Sequence, residues 1–183
     1  RFMKVYLDNA ATTPIDPEVL DAMLPVLRDT FGNPSSIHYS GREAKALIEL
    51  ARKQVASYFN VSPGEIFFTS GGTEADNMAI RCAIKDFNIK HAITSKIEHP
   101  AVLLTLEILE KNEKIKLDFV KLKKDGHVDL EDLEELLKRH NDYQLTEINN
   151  KQRTTNHKPQ TFVSLMHAKN EIGNLLPIKK VAE

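Results

Sequence analysis

The sequence predicts an α/β fold, a mostly parallel sheet with helices on both faces. Two observations carry that expectation. From about residue 65 onward, short apolar runs of strand length alternate with segments whose apolar residues recur at helical spacing. Strands separated by helices imply crossovers, hence parallel pairing and a sheet covered on both sides. The second observation is a strand-to-helix junction. Glu65-Ile66-Phe67-Phe68-Thr69 reads as a buried strand, Ser70-Gly71-Gly72-Thr73 as a turn, and Glu74 to Ile80 as the start of a helix. Such a helix start exposes unpaired N–H groups and positive dipole potential, and paired glycines admit a ligand close to the backbone. That is the construction of a phosphate site.

The elements follow in order. Asp16-Pro17 is a cap with proline at the first helical position. That helix runs to about Thr30, with Pro25 as a kink. Phe31-Gly32-Asn33-Pro34-Ser35-Ser36 is a loop of turn formers. A second helix starts near Ser40 and presents Ala44, Leu47, Ile48, Ala51, Val55 and Phe59 on one face. Ser62-Pro63-Gly64 ends that unit. At the junction Thr73 reads as the N-cap, with Asp76 in the capping-box position. His91 to Ser95 is a strand, Pro100 to Lys111 a helix, and Ile115 to Leu122 a strand closed by a turn at Asp125-Gly126. Asp129 caps a helix carrying Leu130, Leu133, Leu136 and Leu137. Thr161 to Leu165 is a fourth strand, and Pro177 to Glu183 the first turns of a helix. Residues 141–160 are polar and break the rhythm, so they read as a mobile surface insertion.

Composition narrows the functions available. The 183 residues are 41 % apolar, enough for a core, and the net charge of −1 gives no general attraction to nucleic acid or an anionic membrane. No apolar run is long enough to span a bilayer, and no secretory leader is visible, so a cytoplasmic protein is expected. The single cysteine, Cys82, excludes an internal disulfide framework. It lies in the helix after Thr73 among Ile80, Ala83 and Ile84, where a buried cysteine acts as a small hydrophobe. Arg1-Phe2 reads as an addition ahead of a natural start at Met3.

Three more clusters fall where an α/β sheet places chemistry, at the carboxyl ends of strands or beside them. They are Ser95-Lys96-Ile97-Glu98-His99-Pro100, Met166 to Asn174, and Leu7-Asp8-Asn9-Ala10-Ala11-Thr12-Thr13-Pro14. Each has a plainer reading: a surface histidine, a polar turn with Gly173 at positive φ, and a tightly packed small-residue segment. The junction also stays open by itself. It lacks the Walker lysine and has two adjacent glycines rather than the three spaced ones of a dinucleotide fingerprint.

Together the motifs resemble one family. Tyr6 to Pro14, Phe31 to Ser36, Thr69 to Asn77, Glu98-His99-Pro100-Ala101-Val102 and Asn170-Glu171-Ile172-Gly173 are similar, in order and spacing, to NifS/IscS-type cysteine desulfurases. These are fold-type I, class-V aminotransferase-family enzymes that use pyridoxal 5'-phosphate (PLP). The resemblance implies that residues 1–14 form an N-terminal segment at the active site. It implies that residues 15–183 form an incomplete large PLP-binding domain, with the insertion at 141–160. Gly72 and Thr73 match the phosphate cup. His99 matches the histidine that stacks on the pyridine ring and assists proton transfer. Asn170 matches the asparagine near the PLP 3'-oxygen and the substrate carboxylate.

The implied reaction takes sulfur from L-cysteine, leaving L-alanine and an enzyme persulfide for iron–sulfur cluster assembly. The resemblance also implies a homodimer, with Asn33, Pro34, Ser35, Ser36 and His38 near its interface, and a sulfur-acceptor or scaffold protein as partner. Three features of the family are not found in this sequence: the aspartate that pairs with the pyridinium nitrogen, the Schiff-base lysine and the sulfur-accepting cysteine. In the family they lie past the point matching Glu183. Lys169, Lys179 and Lys180 match no Schiff-base position, and Cys82 does not match the missing cysteine. The chain alone is therefore expected to be inactive. Selenocysteine lyase, another class-V PLP enzyme and a non-catalytic binding fragment remain alternatives.

Overall fold

The computed structural model describes residues 3–7, 9, 12–150 and 160–182, with the side chains of 141–150 outside the description. The chain divides into two compact units, Arg1–Phe68 and Thr69–Glu183.

In the first unit, α1 (Pro17–Asp29) begins as expected: the Asp16 carboxylate accepts the Glu18 N–H at 2.9 Å, and Pro25 lies inside the helix. Helix α2 (Tyr39–Phe59) starts after a loop in which the Asn33 side chain accepts the Ser35 N–H. Gly41 is required by close approach. A Cβ there would stand 2.4 Å from the Ser36 carbonyl oxygen and 2.6 Å from that of Asn33. Of the apolar face expected for α2, Ala44 is buried, whereas Leu47, Ile48 and Phe59 are exposed among the described residues.

The strand expected at Glu65–Thr69 does not form. Pro63–Glu65 is a 3-10 turn, and Ile66–Thr69 runs outside the sheet. A strand exists only through its partner, and no ladder partner lies beside it among the described residues. Arg52 of α2 takes the Ile66 carbonyl instead, and its guanidinium lies 4.9 Å from the centre of the Phe68 ring.

The second unit carries the expected parallel sheet. Strands β1 (His91–Thr94), β2 (Lys116–Phe119) and β3 (Thr161–Val163) are ordered β2-β1-β3, with both pairings parallel. Helices α3 (Gly72–Asp86), α4 (Pro100–Lys111) and α5 (Leu130–Asn150) surround it, and a small antiparallel pair, β4 (Ala168–Lys169) and β5 (Asn174–Leu175), precedes α6 (Ile178–Ala182). Successive strand residues point to opposite faces, and β1 shows the result. Ala92 packs with Ile80 and Ile84 of α3 and Leu106 and Leu109 of α4. Ile93, on the other face, packs with Leu133 and Leu136 of α5, with Val181 of α6 against the same cluster.

Helix α5 is capped as expected, with the Asp129 carboxylate accepting the Glu131 N–H. It runs on through residues 141–150, where the sequence reads as a polar insertion. Just ahead of that stretch, His140 is fully buried with Nε2 2.7 Å from the Asp118 carboxylate of β2. That contact ties the helix to β2 at His140. Residues 151–159 of the insertion lie outside the described residues. Among the described residues no helix is long and apolar enough to cross a membrane.

Leu106 has no exposed surface, and Leu104 on the same helix is 55 % exposed. Leu106→Ala should therefore lose about 2–5 kcal/mol of unfolding free energy, and Leu104→Ala no more than about 0.5 kcal/mol. Urea-unfolding midpoints compare the two, and equal losses would contradict this packing.

Candidate active site

The expected phosphate junction forms a helix N-terminus, with a different cap. Gly71 is the N-cap, α3 starts at Gly72, and Thr73 is the second helical residue. The expected Thr73–Asp76 capping box is replaced by Glu74, whose Oε2 accepts both the N–H and the hydroxyl of Ser70 at 2.7 Å. Ser70 offers two donors to the third helical position, which a single hydroxyl at Thr73 cannot match. The Thr73 side chain is thereby left exposed and unused by the cap. A Cβ built on Gly71 or Gly72 would meet nothing within 4 Å. The first N–H groups of α3 thus border open space and lack intrahelical acceptors.

The second part of the site leaves the carboxyl end of β1. Thr94 donates its hydroxyl to the Ser164 carbonyl at 3.0 Å, while Val120 N–H and Ser164 N–H bond to the Thr94 and Ile93 carbonyls. Ser95 and Glu98 are buried. Oε1 of Glu98 accepts the Ser95 hydroxyl at 2.9 Å and the Met166 N–H at 2.7 Å. One buried carboxylate therefore joins the loop after β1 to the segment after β3. The next residue, His99, caps α4: its Nδ1 accepts the Ala101 N–H at 3.1 Å. An accepting Nδ1 places the ring proton on Nε2 in the neutral imidazole.

Asn77 ties the two helix starts together. Its Nδ2 donates to the Thr73 carbonyl at 2.9 Å and reaches the Ala101 carbonyl at 3.5 Å. Its Oδ1 accepts the Thr105 hydroxyl at 2.8 Å. Gly72, Thr73 and His99 are thus brought into one hydrogen-bonded frame. Asn170 lies elsewhere in this unit, exposed in the turn between β4 and β5, and no described hydrogen bond joins it to the other three. That turn has Gly173 at φ 72°, as its sequence suggests, and the Asn174 side chain donates to the Asp125 carbonyl at 2.9 Å. Lys169 is paired with Glu171 at 2.9 Å.

Sequence reasoning quotes Asn77 and Glu98 inside motifs without giving either a task. An acid next to a site histidine, and an amide one helical turn after Thr73, are the available signals. Cys82 needs correction, because it is exposed. Ile80 and Ile84, one turn apart, take the buried face of α3, and Cys82 between them points about 200° away in helical phase.

Residues 5–155 match the aminotransferase class-V family. The chain belongs to that family. Within it, the chain is 41 % identical over 182 residues to a cysteine desulfurase IscS of Dictyoglomus turgidum, covering 98 % of this chain and 41 % of that protein. It is 38 % identical to a putative cysteine desulfurase IscS 1 of Bacillus subtilis, covering 98 % of this chain and 43 % of the relative. The chain thus spans about two fifths of the length of the curated relatives it matches. Among solved structures, a NifS-like protein superposes with a TM-score of 0.78 at 37 % identity, covering 98 % of this chain and 44 % of that one. SspA in complex with cysteine gives 0.70 at 32 %, covering 94 % and 44 %. The parallel sheet with its helices matches the fold of these solved structures.

The two Ser70 bonds, the backbone one first, hold the Glu74 carboxyl below the usual glutamate range. A lowered folded-state value means that the Ser70–Glu74 tether is present above the ordinary value, about 4.3, and is lost as pH falls through the lower one. Ser70→Ala removes the hydroxyl bond and keeps the backbone bond, so Glu74 should titrate closer to its ordinary value. Carboxyl NMR titration checks this, and an unmoved midpoint would contradict it.

Proposed function

We propose that this chain supplies the cofactor-seating part of a PLP-dependent cysteine desulfurase. The observation that carries the reading is the open, glycine-flanked start of α3, hydrogen-bonded through Asn77 to the helix capped by His99. The residues present fit the group. Donors without intrahelical acceptors suit a phosphate, and the exposed Thr73 hydroxyl adds one more.

Gly72 and Thr73 hold the phosphate through backbone N–H groups and the Thr73 hydroxyl. His99 meets the ring, with Nδ1 occupied by the Ala101 N–H and Nε2 left to hold or move a proton. By the family resemblance, Asn170 would offer an amide donor to the cofactor's 3'-oxygen and the substrate carboxylate. When bound, PLP supplies the electron sink for bond breaking at an amino acid.

L-Cysteine is the substrate we infer, supported by the names of the relatives and by the cysteine in the SspA structure. L-Alanine and an enzyme persulfide follow as products, and a sulfur-acceptor protein in iron–sulfur cluster assembly as partner. Homodimeric assembly and a cytoplasmic setting complete the proposal. A relative from Trachipleistophora hominis is named a mitosomal cysteine desulfurase.

Thr73→Val keeps the shape and removes the hydroxyl. A hydrogen bond to a charged group is worth about 1.5–3 kcal/mol, so PLP affinity should fall by that amount, read from equilibrium binding. Unchanged affinity would remove Thr73 from the site.

A further inference from the structure

We propose that Asn77, together with Thr105, is a positioning residue that fixes the separation between the phosphate end and the ring end of the cofactor site. The inference rests on the proposed roles of Gly72, Thr73 and His99. Asn77 reaches one backbone carbonyl at each end. Its Nδ2 donates to the carbonyl of Thr73, whose other groups belong to the phosphate end. The same Nδ2 reaches the carbonyl of Ala101, whose N–H is bonded to the His99 ring.

Only one orientation of the amide satisfies these partners. Carbonyl oxygens accept and cannot donate, so Nδ2 must face Thr73 and Ala101. Oδ1 then faces two donors, the Thr105 hydroxyl at 2.8 Å and the Arg81 Nε–H at 3.3 Å. The buried Thr105 hydroxyl also lies 2.8 Å from the Ala101 carbonyl, so its one proton is shared between α4 and Asn77. Helices α3 and α4 could slide on an apolar face alone, because such contacts are non-directional. A forked amide between their first turns removes that freedom.

The chemistry makes a near-isostere the sharpest variant. In Asn77→Asp an oxygen replaces the donor and stands against two carbonyls. Thr105→Val removes the hydroxyl at constant shape, and Thr105→Ser returns it.

Two probes separate spacing from general support of α3. Inorganic phosphate reaches only the α3 end, followed by amide NMR shifts at Gly72 and Thr73. Pyridoxamine 5'-phosphate needs both ends and has no aldehyde to condense with surface lysines, and equilibrium dialysis follows its binding. In the full-length protein carrying this chain, Asn77→Asp and Asn77→Ala should weaken pyridoxamine phosphate by roughly tenfold, the value of about one hydrogen bond. Inorganic phosphate should bind as in wild type. Thr105→Val should show the same split to a smaller degree, and Thr105→Ser should restore it. Equal weakening of both probes would overturn the inference, because Asn77 would then only support α3. Unchanged pyridoxamine phosphate binding in every variant would overturn it too. A wild-type full-length protein that binds inorganic phosphate but no pyridoxamine phosphate would overturn the cofactor assignment and this inference with it.

Discussion

Strand β1 is paired on both edges and buried on both faces, and the geometry of the site follows from that. Ala92 and Ile93 have no exposed surface and serve opposite cores. Backbone bonds from Val120 and Ser164 hold the last residues of the strand from either side, and the Thr94 hydroxyl adds a third tie to β3. A strand so fixed delivers Ser95 to His99 in one direction. The small side chain of Ala92 leaves room for Leu106, so α4 packs close to the sheet and starts at the strand's carboxyl end. α3 packs against the same face, which brings its open N-terminus beside that of α4.

Polar groups complete what packing begins. Burying Glu98 would be costly without partners. The Ser95 hydroxyl and the Met166 N–H offset that cost, and its position just ahead of α4 places the charge near a positive helix end. The bond to Met166 in turn anchors the segment leading to β4, the turn that carries Asn170, and β5. Asn77 and Thr105 act in the same way between α3 and α4. The framework of the site is thus a set of directional hydrogen bonds laid over two apolar cores.

Much of this was legible in the sequence, for identifiable reasons. Helix α4 was readable to the residue because Pro100 fixes its start and its leucines repeat at helical spacing. β1 was readable because a short apolar run follows Lys90. At Glu65–Thr69 the sequence predicts a strand, and none forms there because a strand needs a ladder partner that apolar content alone does not supply. The continuation of α5 is hidden by polar residues, and the burial of His140 against Asp118 joins positions far apart in sequence. The cap of α3 was assigned to Thr73 because a hydroxyl before an acid fits the usual pattern. Ser70 and Glu74 fit a neighbouring version of that pattern, and only geometry separates them. The phosphate-type junction itself was visible, while the amide linking it to His99 needed the fold.

The central claim is that the start of α3 and the His99 cap of α4 form one seat for a phosphorylated pyridine. A crystal structure of the protein carrying this chain, determined with PLP bound, tests it most directly. The account predicts phosphate oxygens within hydrogen-bond distance of the Gly72 and Thr73 N–H groups, with the pyridine ring against His99 and the Asn77 bonds intact. A phosphate bound away from α3, or a ring that leaves His99 untouched, would contradict it.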